Sequence, residues 1–170
     1  MNIFERNQAV AMSAVSDMVN GWSGGIVQAS RHGVFVTPVY LVNELYNRRL
    51  GTQRLAAHVD GPTFDTRREG KGVPYLDVAV SRTANGKQIF IKAVNTDGKH
   101  SLRATFQISG TGVSPEAEIE TITADSLTAA NTFASPEVVS TRRSRIRADS
   151  RFVVDLPRHS VSVITLATAE

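Results

Sequence analysis

The chain has 170 residues, 41% hydrophobic and 21% charged, with formal net charge +3 and no cysteine. That composition excludes global disorder and leaves room for a packed core. Without cysteine there are no disulfides and no thiolate chemistry, and so weak a net charge does not point to nucleic acid.

At the front, Ala11, Val15, Met18 and Trp22 recur at helical spacing with Val19 beside them. This predicts a helix from Glu5 to about Val19, closed by Gly21 and Gly24-Gly25. Val34-Phe35-Val36 is a short apolar run, expected as a strand buried on both faces of a parallel sheet. Thr37-Pro38 opens a second helix, with Thr37 as the cap and proline at the first position. Leu41, Val42, Leu45 and Tyr46 are its buried stripe, and Gly51 its stop. Helix, strand and helix make a piece of an α/β fold too small to close a sheet.

From Leu55 the period changes to two. Expected strands are Leu55–Val59, Tyr75–Ser81, Gln88–Asn95, Leu102–Ser109, Ala117–Thr123, Arg151–Leu156 and Ser160–Ala167. A short extra strand is expected around Phe133 and Val138-Val139. Asn85-Gly86 is a hairpin turn signal, because asparagine and glycine accept positive φ. The fold class is mainly β: an antiparallel, jelly-roll-like sandwich preceded by a helix–strand–helix. The boundary falls between 1–52 and 53–170. Its core is expected to include Leu76, Val78, Val80, Ile89, Ile91, Val161, Val163 and Ile164.

Signals for chemistry are sparse. His32, His58, His100 and His159 stand at no metal-ligand spacing. The glycines form no phosphate loop, and there is no nucleophile elbow. Glu116, Glu118 and Glu120 alternate on one strand face and read as solvated, since buried like charges repel. Glu44 lies on the second helix, and Asp155 reads as a turn residue before Leu156-Pro157. Arg142, Arg143, Arg145, Arg147 and Arg151 read as a solvated loop. No catalytic residue, cofactor or metal is expected, and no substrate-binding residue is identified. No apolar run reaches the ~20 residues of a membrane span, and no signal peptide is visible, so a cytoplasmic location is expected.

Six motifs occur in order along nearly the whole chain: DMVNGW (17–22), TPVYLVNELYNRRLG (37–51), VPYLDVAVSR (73–82), IFIKAVN (89–95), NTFASPEVV (131–139) and LPRHSVSVITL (156–166). Together they resemble the C-terminal part of the α-L-arabinofuranosidases of glycoside hydrolase family 51. The resemblance implies the end of a (β/α)8 barrel followed by a β-sandwich. Residues 5–22 would be the seventh barrel helix, 34–36 the eighth strand and 38–50 the eighth helix. The family removes terminal α-L-arabinofuranosyl groups with retention, using two glutamates upstream of the stretch present here. No residue of this chain matches either, so the expected role is a non-catalytic segment. Its expected partner is the barrel, in the same enzyme or a separate chain, with glycan engaged only through the complete enzyme. The alternatives are an independent carbohydrate-binding sandwich, or a structural domain that homo-oligomerises. Nucleic acid and membrane are not expected partners.

Overall fold

The computed structural model describes residues 1–21 and 25–169. Trp22 and Gly24, which the sequence placed at the end of the first helix, lie outside the described residues. The centre of the fold is a six-stranded antiparallel sheet. Its strands are β3 (Gln53–Leu55), β6 (Leu76–Arg82), β7 (Gln88–Asn95), β9 (Val113–Thr123), β10 (Ser140–Arg147) and β12 (Ser160–Thr168), ordered β10-β9-β12-β7-β6-β3. Facing it is a two-stranded sheet of β8 (Leu102–Gln107) and β11 (Arg151–Leu156).

The alternation along each strand decides what is buried where. Ile89, Ile91 and Ala93 of β7, Ala117 and Ile119 of β9, and Ile164 and Leu166 of β12 point at Ala104, Phe106, Phe152, Val154 and Leu156. Phe106 and Phe152 stack with centroids 5.3 Å apart. Of the expected core, Val78, Ile89, Ile91 and Ile164 are buried here, with Leu76 and Val80 partly so. Val163 instead lies in a second cluster on the opposite face, with Ile122, Val139 and the helix residues Leu41, Leu45 and Tyr46, and Val161 packs beside it. The middle strands are covered on both faces, which is why β7 reads apolar almost throughout.

The expected hairpin of β6 and β7 forms, pairing Val80 with Ile91 and Val78 with Ala93. Its turn differs from the tight form expected of Asn85-Gly86. Only Gly86 takes positive φ, at 71°. Gly86 N–H donates to Thr83 C=O at 2.9 Å, and Asn85 uses its side-chain oxygen to accept from Lys87 N–H at 3.1 Å. A four-residue turn with one left-handed glycine therefore replaces the two-residue one.

Several expectations are corrected. The first helix, α1, spans Asn2–Arg6 rather than Glu5–Val19. Residues 11–20 are exposed throughout, so Ala11, Val15 and Met18 have no surface to pack on. Without that burial a helix of this length is marginal in water. Val34–Val36 lies in β2 (Gly33–Val36), which pairs antiparallel with β1 (Val27–Ser30) in a hairpin, and Val34 is 63% exposed. It is therefore not a strand buried on both faces of a parallel sheet.

The second helix, α2, spans Pro38–Arg48 with proline in its first turn. Thr37 makes no capping bond; its hydroxyl donates to Ile26 C=O at 3.1 Å. The helix closes at Arg49, not Gly51. Gly51 is instead a close-approach residue, where a Cβ would lie 2.5 Å from Ser81 Oγ.

Gln53–Leu55 replaces the longer strand expected at 55–59. Residues 131–139 form no strand; Phe133 is exposed and meets Phe35 edge-on at 4.8 Å. The arginine run is a strand, β10, not a loop. A hairpin of β4 (Thr63–Thr66) and β5 (Gly70–Pro74) was not foreseen.

Candidate functional site

The strongest concentration of charge lies where the two helices sit on the outer face of the six-stranded sheet. In β10 and β9, Arg143 stands opposite Glu120, Arg145 opposite Glu118 and Arg147 opposite Glu116. Opposite charges across a ladder attract, which accounts for arginines alternating along an edge strand. The three glutamates share a face, as their spacing implied, but they are not equally solvated. Glu116 and Glu118 keep 73% and 34% of their side chains exposed, while Glu120 keeps 1%.

Glu120 escapes the repulsion expected of buried neighbours because α2 brings cations to it. Arg48 reaches it at 3.1 Å, Arg49 at 2.8 Å and Arg143 at 2.8 Å. Arg49 also holds Glu118 at 2.6 Å. Burial by itself would raise the Glu120 pKa. The hydrogen bond from Arg143 and the charges of Arg49 and Arg48 outweigh it and leave the carboxyl below its ordinary value. Glu44, singled out on this helix, pairs at its own surface with Arg48 at 3.6 Å.

A second cluster surrounds Lys92, whose side chain is 0% exposed. Its ammonium is paired with Glu5 of α1 and lies 4.6 Å from the centroid of the Tyr46 ring. Tyr46 Oη donates to Asn2 Oδ1 at 2.6 Å, and the Asn2 amide donates to Asp77 C=O at 3.0 Å and Lys92 C=O at 3.2 Å. Arg6 pairs with the Asp77 carboxylate and donates to Val78 C=O at 2.7 Å. Burial pushes the Tyr46 hydroxyl well above its ordinary pKa, with the Glu5 charge adding to it. Burial pushes Lys92 down, against the pull of Glu5. Sequence reasoning missed this cluster. Its one signal was a lysine in the middle of a strand apolar on both faces.

Two concavities flank this architecture. One lies beside α1, bordered by Phe4, Val10, Met12, Tyr46 and Leu50. The other lies between the two sheets, along β8 and beneath residues 55–62. Among the described residues bordering them, each has one carboxylate, Glu5 in the first and Asp60 in the second, where the chemistry of a glycosidase uses two. That chemistry needs a carboxylic acid with raised pKa facing a second carboxylate. Among the described residues the buried acids are Glu120 and Asp97, which border neither concavity and whose pKa values are both lowered. For Asp97 the chief cause is Lys99 N–H, which donates to its carboxylate. Asp155, expected in a turn, closes no site; it is an exposed residue of β11 beside Arg103.

The histidines remain apart. His32, His58 and His100 are exposed, His100 beside Asp97 at 3.0 Å. His159 bonds Ala124 C=O at 2.7 Å from a residue with φ of 38°. Among the described residues no group of three His, Cys, Asp or Glu is placed to hold a metal ion. No described helix is long and apolar enough to cross a membrane.

The family model for the α-L-arabinofuranosidase C-terminal domain matches residues 1–160. Among solved structures, the chain is similar to an α-L-arabinofuranosidase from Thermotoga maritima in complex with arabinose. The identity is 27% and the TM-score 0.81, over 91% of this chain and 33% of that one. A thermostable GH51 α-L-arabinofuranosidase from Thermotoga petrophila is 28% identical with TM-score 0.78, over 87% and 32% of the two chains. The GH51 arabinofuranosidase of Xanthomonas axonopodis pv. citri shares the fold at 24% identity and TM-score 0.82, over 97% and 33%. This chain therefore spans about a third of the length of these relatives. No curated protein matches it.

Proposed function

This chain belongs to the family of α-L-arabinofuranosidase C-terminal domains, and we propose that it serves as the non-catalytic support of a (β/α)8 barrel. The complete enzyme would remove terminal α-L-arabinofuranosyl groups from arabinose-containing glycans. In this reading residues 1–52 belong with the barrel and residues 53–170 are the sandwich that braces it.

The observation that carries the reading is the sheet's outer face. It holds α1 and α2 through buried charge and a small apolar cluster, yet the helical segment leaves Val34, Val39 and Leu50 exposed. Apolar residues in that number on one short segment favour a covering partner. Glu120 and Asp97 are engaged by structural partners, the one by Arg48, Arg49 and Arg143 and the other by the N–H groups of Lys99 and His100.

The test joins this chain to the part of the Thermotoga maritima relative that precedes the matched region. The expected result is a folded chimera that hydrolyses an aryl α-L-arabinofuranoside, while the purified 170-residue chain does not. Turnover by the chain alone, lost on replacing one of its own carboxylates, would overturn the reading.

A further inference from the structure

Helix α1 sits inside out. Its polar residues Asn2, Glu5 and Arg6 engage the sheet, while Ile3 is 64% and Phe4 46% exposed. A surface helix ordinarily turns its apolar stripe inward. At five residues α1 is also far too short to persist unaided. Its position therefore depends on polar contacts: the buried hydrogen bonds of Asn2 and, beside them, the pair of Glu5 with Lys92, whose side chain is 0% exposed.

We propose that the Glu5–Lys92 pair is a releasable clasp, which holds residues 1–6 on β6 and β7 and frees them when its charge is lost while the sandwich stays folded.

The surroundings suit such a device. The groups facing the Lys92 ammonium are Glu5 from α1 and Tyr46 from α2, with the Arg6–Asp77 pair alongside. On the neighbouring strands its partners are Ala79 and Val163, neither of which can take over its charge. An ion pair of this kind is a poor source of net stability, because desolvation of the two ions offsets their attraction. It can still fix where α1 lies. Ala11–Asn20 are all exposed, so beyond the clasp the chain is next tied at Met18–Asn20, to Ile26, Val27 and Ala29. The clasp thus decides whether residues 1–6 stay seated on β6 and β7.

The pH response has two opposed parts. The folded pKa of Lys92 lies below its unfolded value. The cost of burying its charge is present below the folded pKa and disappears as pH rises through the window up to about 10.4. Raising the pH through that window firms the sandwich and at the same time removes the cation that holds Glu5.

Trypsin reads the clasp directly, because cleavage after Arg6 requires its guanidinium to leave Asp77. Cleavage after Arg31, in the exposed turn of the β1–β2 hairpin, is the internal reference. Glu5→Gln and Lys92→Met should each raise cleavage at Arg6 relative to Arg31 by about tenfold. The thermal midpoint of Lys92→Met should be unchanged or higher. In the unaltered protein the same ratio should rise as pH is raised toward the unfolded lysine value of about 10.4, and Lys92→Met should abolish that rise. Wild-type ratios in both variants, or loss of residues 1–6 only together with global unfolding, would overturn the proposal.

Discussion

Glu120 shows how one carboxylate becomes buried without becoming reactive. Its strand places it beside Glu118, and that pairing alone would be unfavourable. Arg48 and Arg49 from α2 and Arg143 from β10 reverse the balance. Glu120→Gln should cost about 1–3 kcal/mol, less than the 3–5 typical of a broken buried pair, because the three arginines still reach solvent. Denaturant unfolding measures it, and an unchanged midpoint would show that the network is ornamental. The acid limb follows from the same group. The folded pKa of Glu120 is depressed, so its contribution is full above the unfolded value of about 4.3 and drains as pH falls through the folded one. Acid titrations of the parent and Glu120→Gln should therefore converge at low pH.

Among the elements, β7 and β10 make opposite cases. β7 was legible to the residue, Gln88–Asn95, because alternation and a turn signal bounded it. By composition β10 resembles a charged surface loop. It is a strand because Glu116, Glu118 and Glu120 lie opposite its arginines. On an edge, such side chains also discourage pairing with another chain. The energetic weight lies in the middle strands. Ile91→Ala, fully enclosed in the main core, should cost about 2–5 kcal/mol, whereas Lys87→Ala at the exposed hairpin should stay within about 0.5 kcal/mol. Equal urea midpoints for the two would contradict the packing. The first helix fails as an element for a different reason: its stripe is real, but nothing lies where the stripe would need a surface.

For the whole molecule, the question is what covers the helical front. Met12, Met18, Val19 and Val34 are all more than half exposed. The isolated chain is expected either to associate through residues 1–51 or to keep that segment loose against a firm sandwich. Light scattering combined with hydrogen exchange distinguishes these outcomes from a third. A strict monomer with strong amide protection across 10–21 would mean that the front is self-sufficient, and the barrel-support reading would lose its main argument.

The sequence by itself determined the β-sandwich and most of its strands, because a period of two, closed by turn residues, is a local property that burial on one face enforces. It also determined the family resemblance, through six motifs kept in order. It did not determine the fate of residues 7–19, the edge strand β10, or the buried charges Lys92 and Glu120. Those depend on which groups lie opposite in space. A lysine on a strand reads as surface until Glu5 and Tyr46 close over it, and a row of glutamates reads as solvated until arginines 72 and 71 residues away in the chain arrive beside it. Burial of charge is set by partners distant in the chain, and only the tertiary structure supplies them.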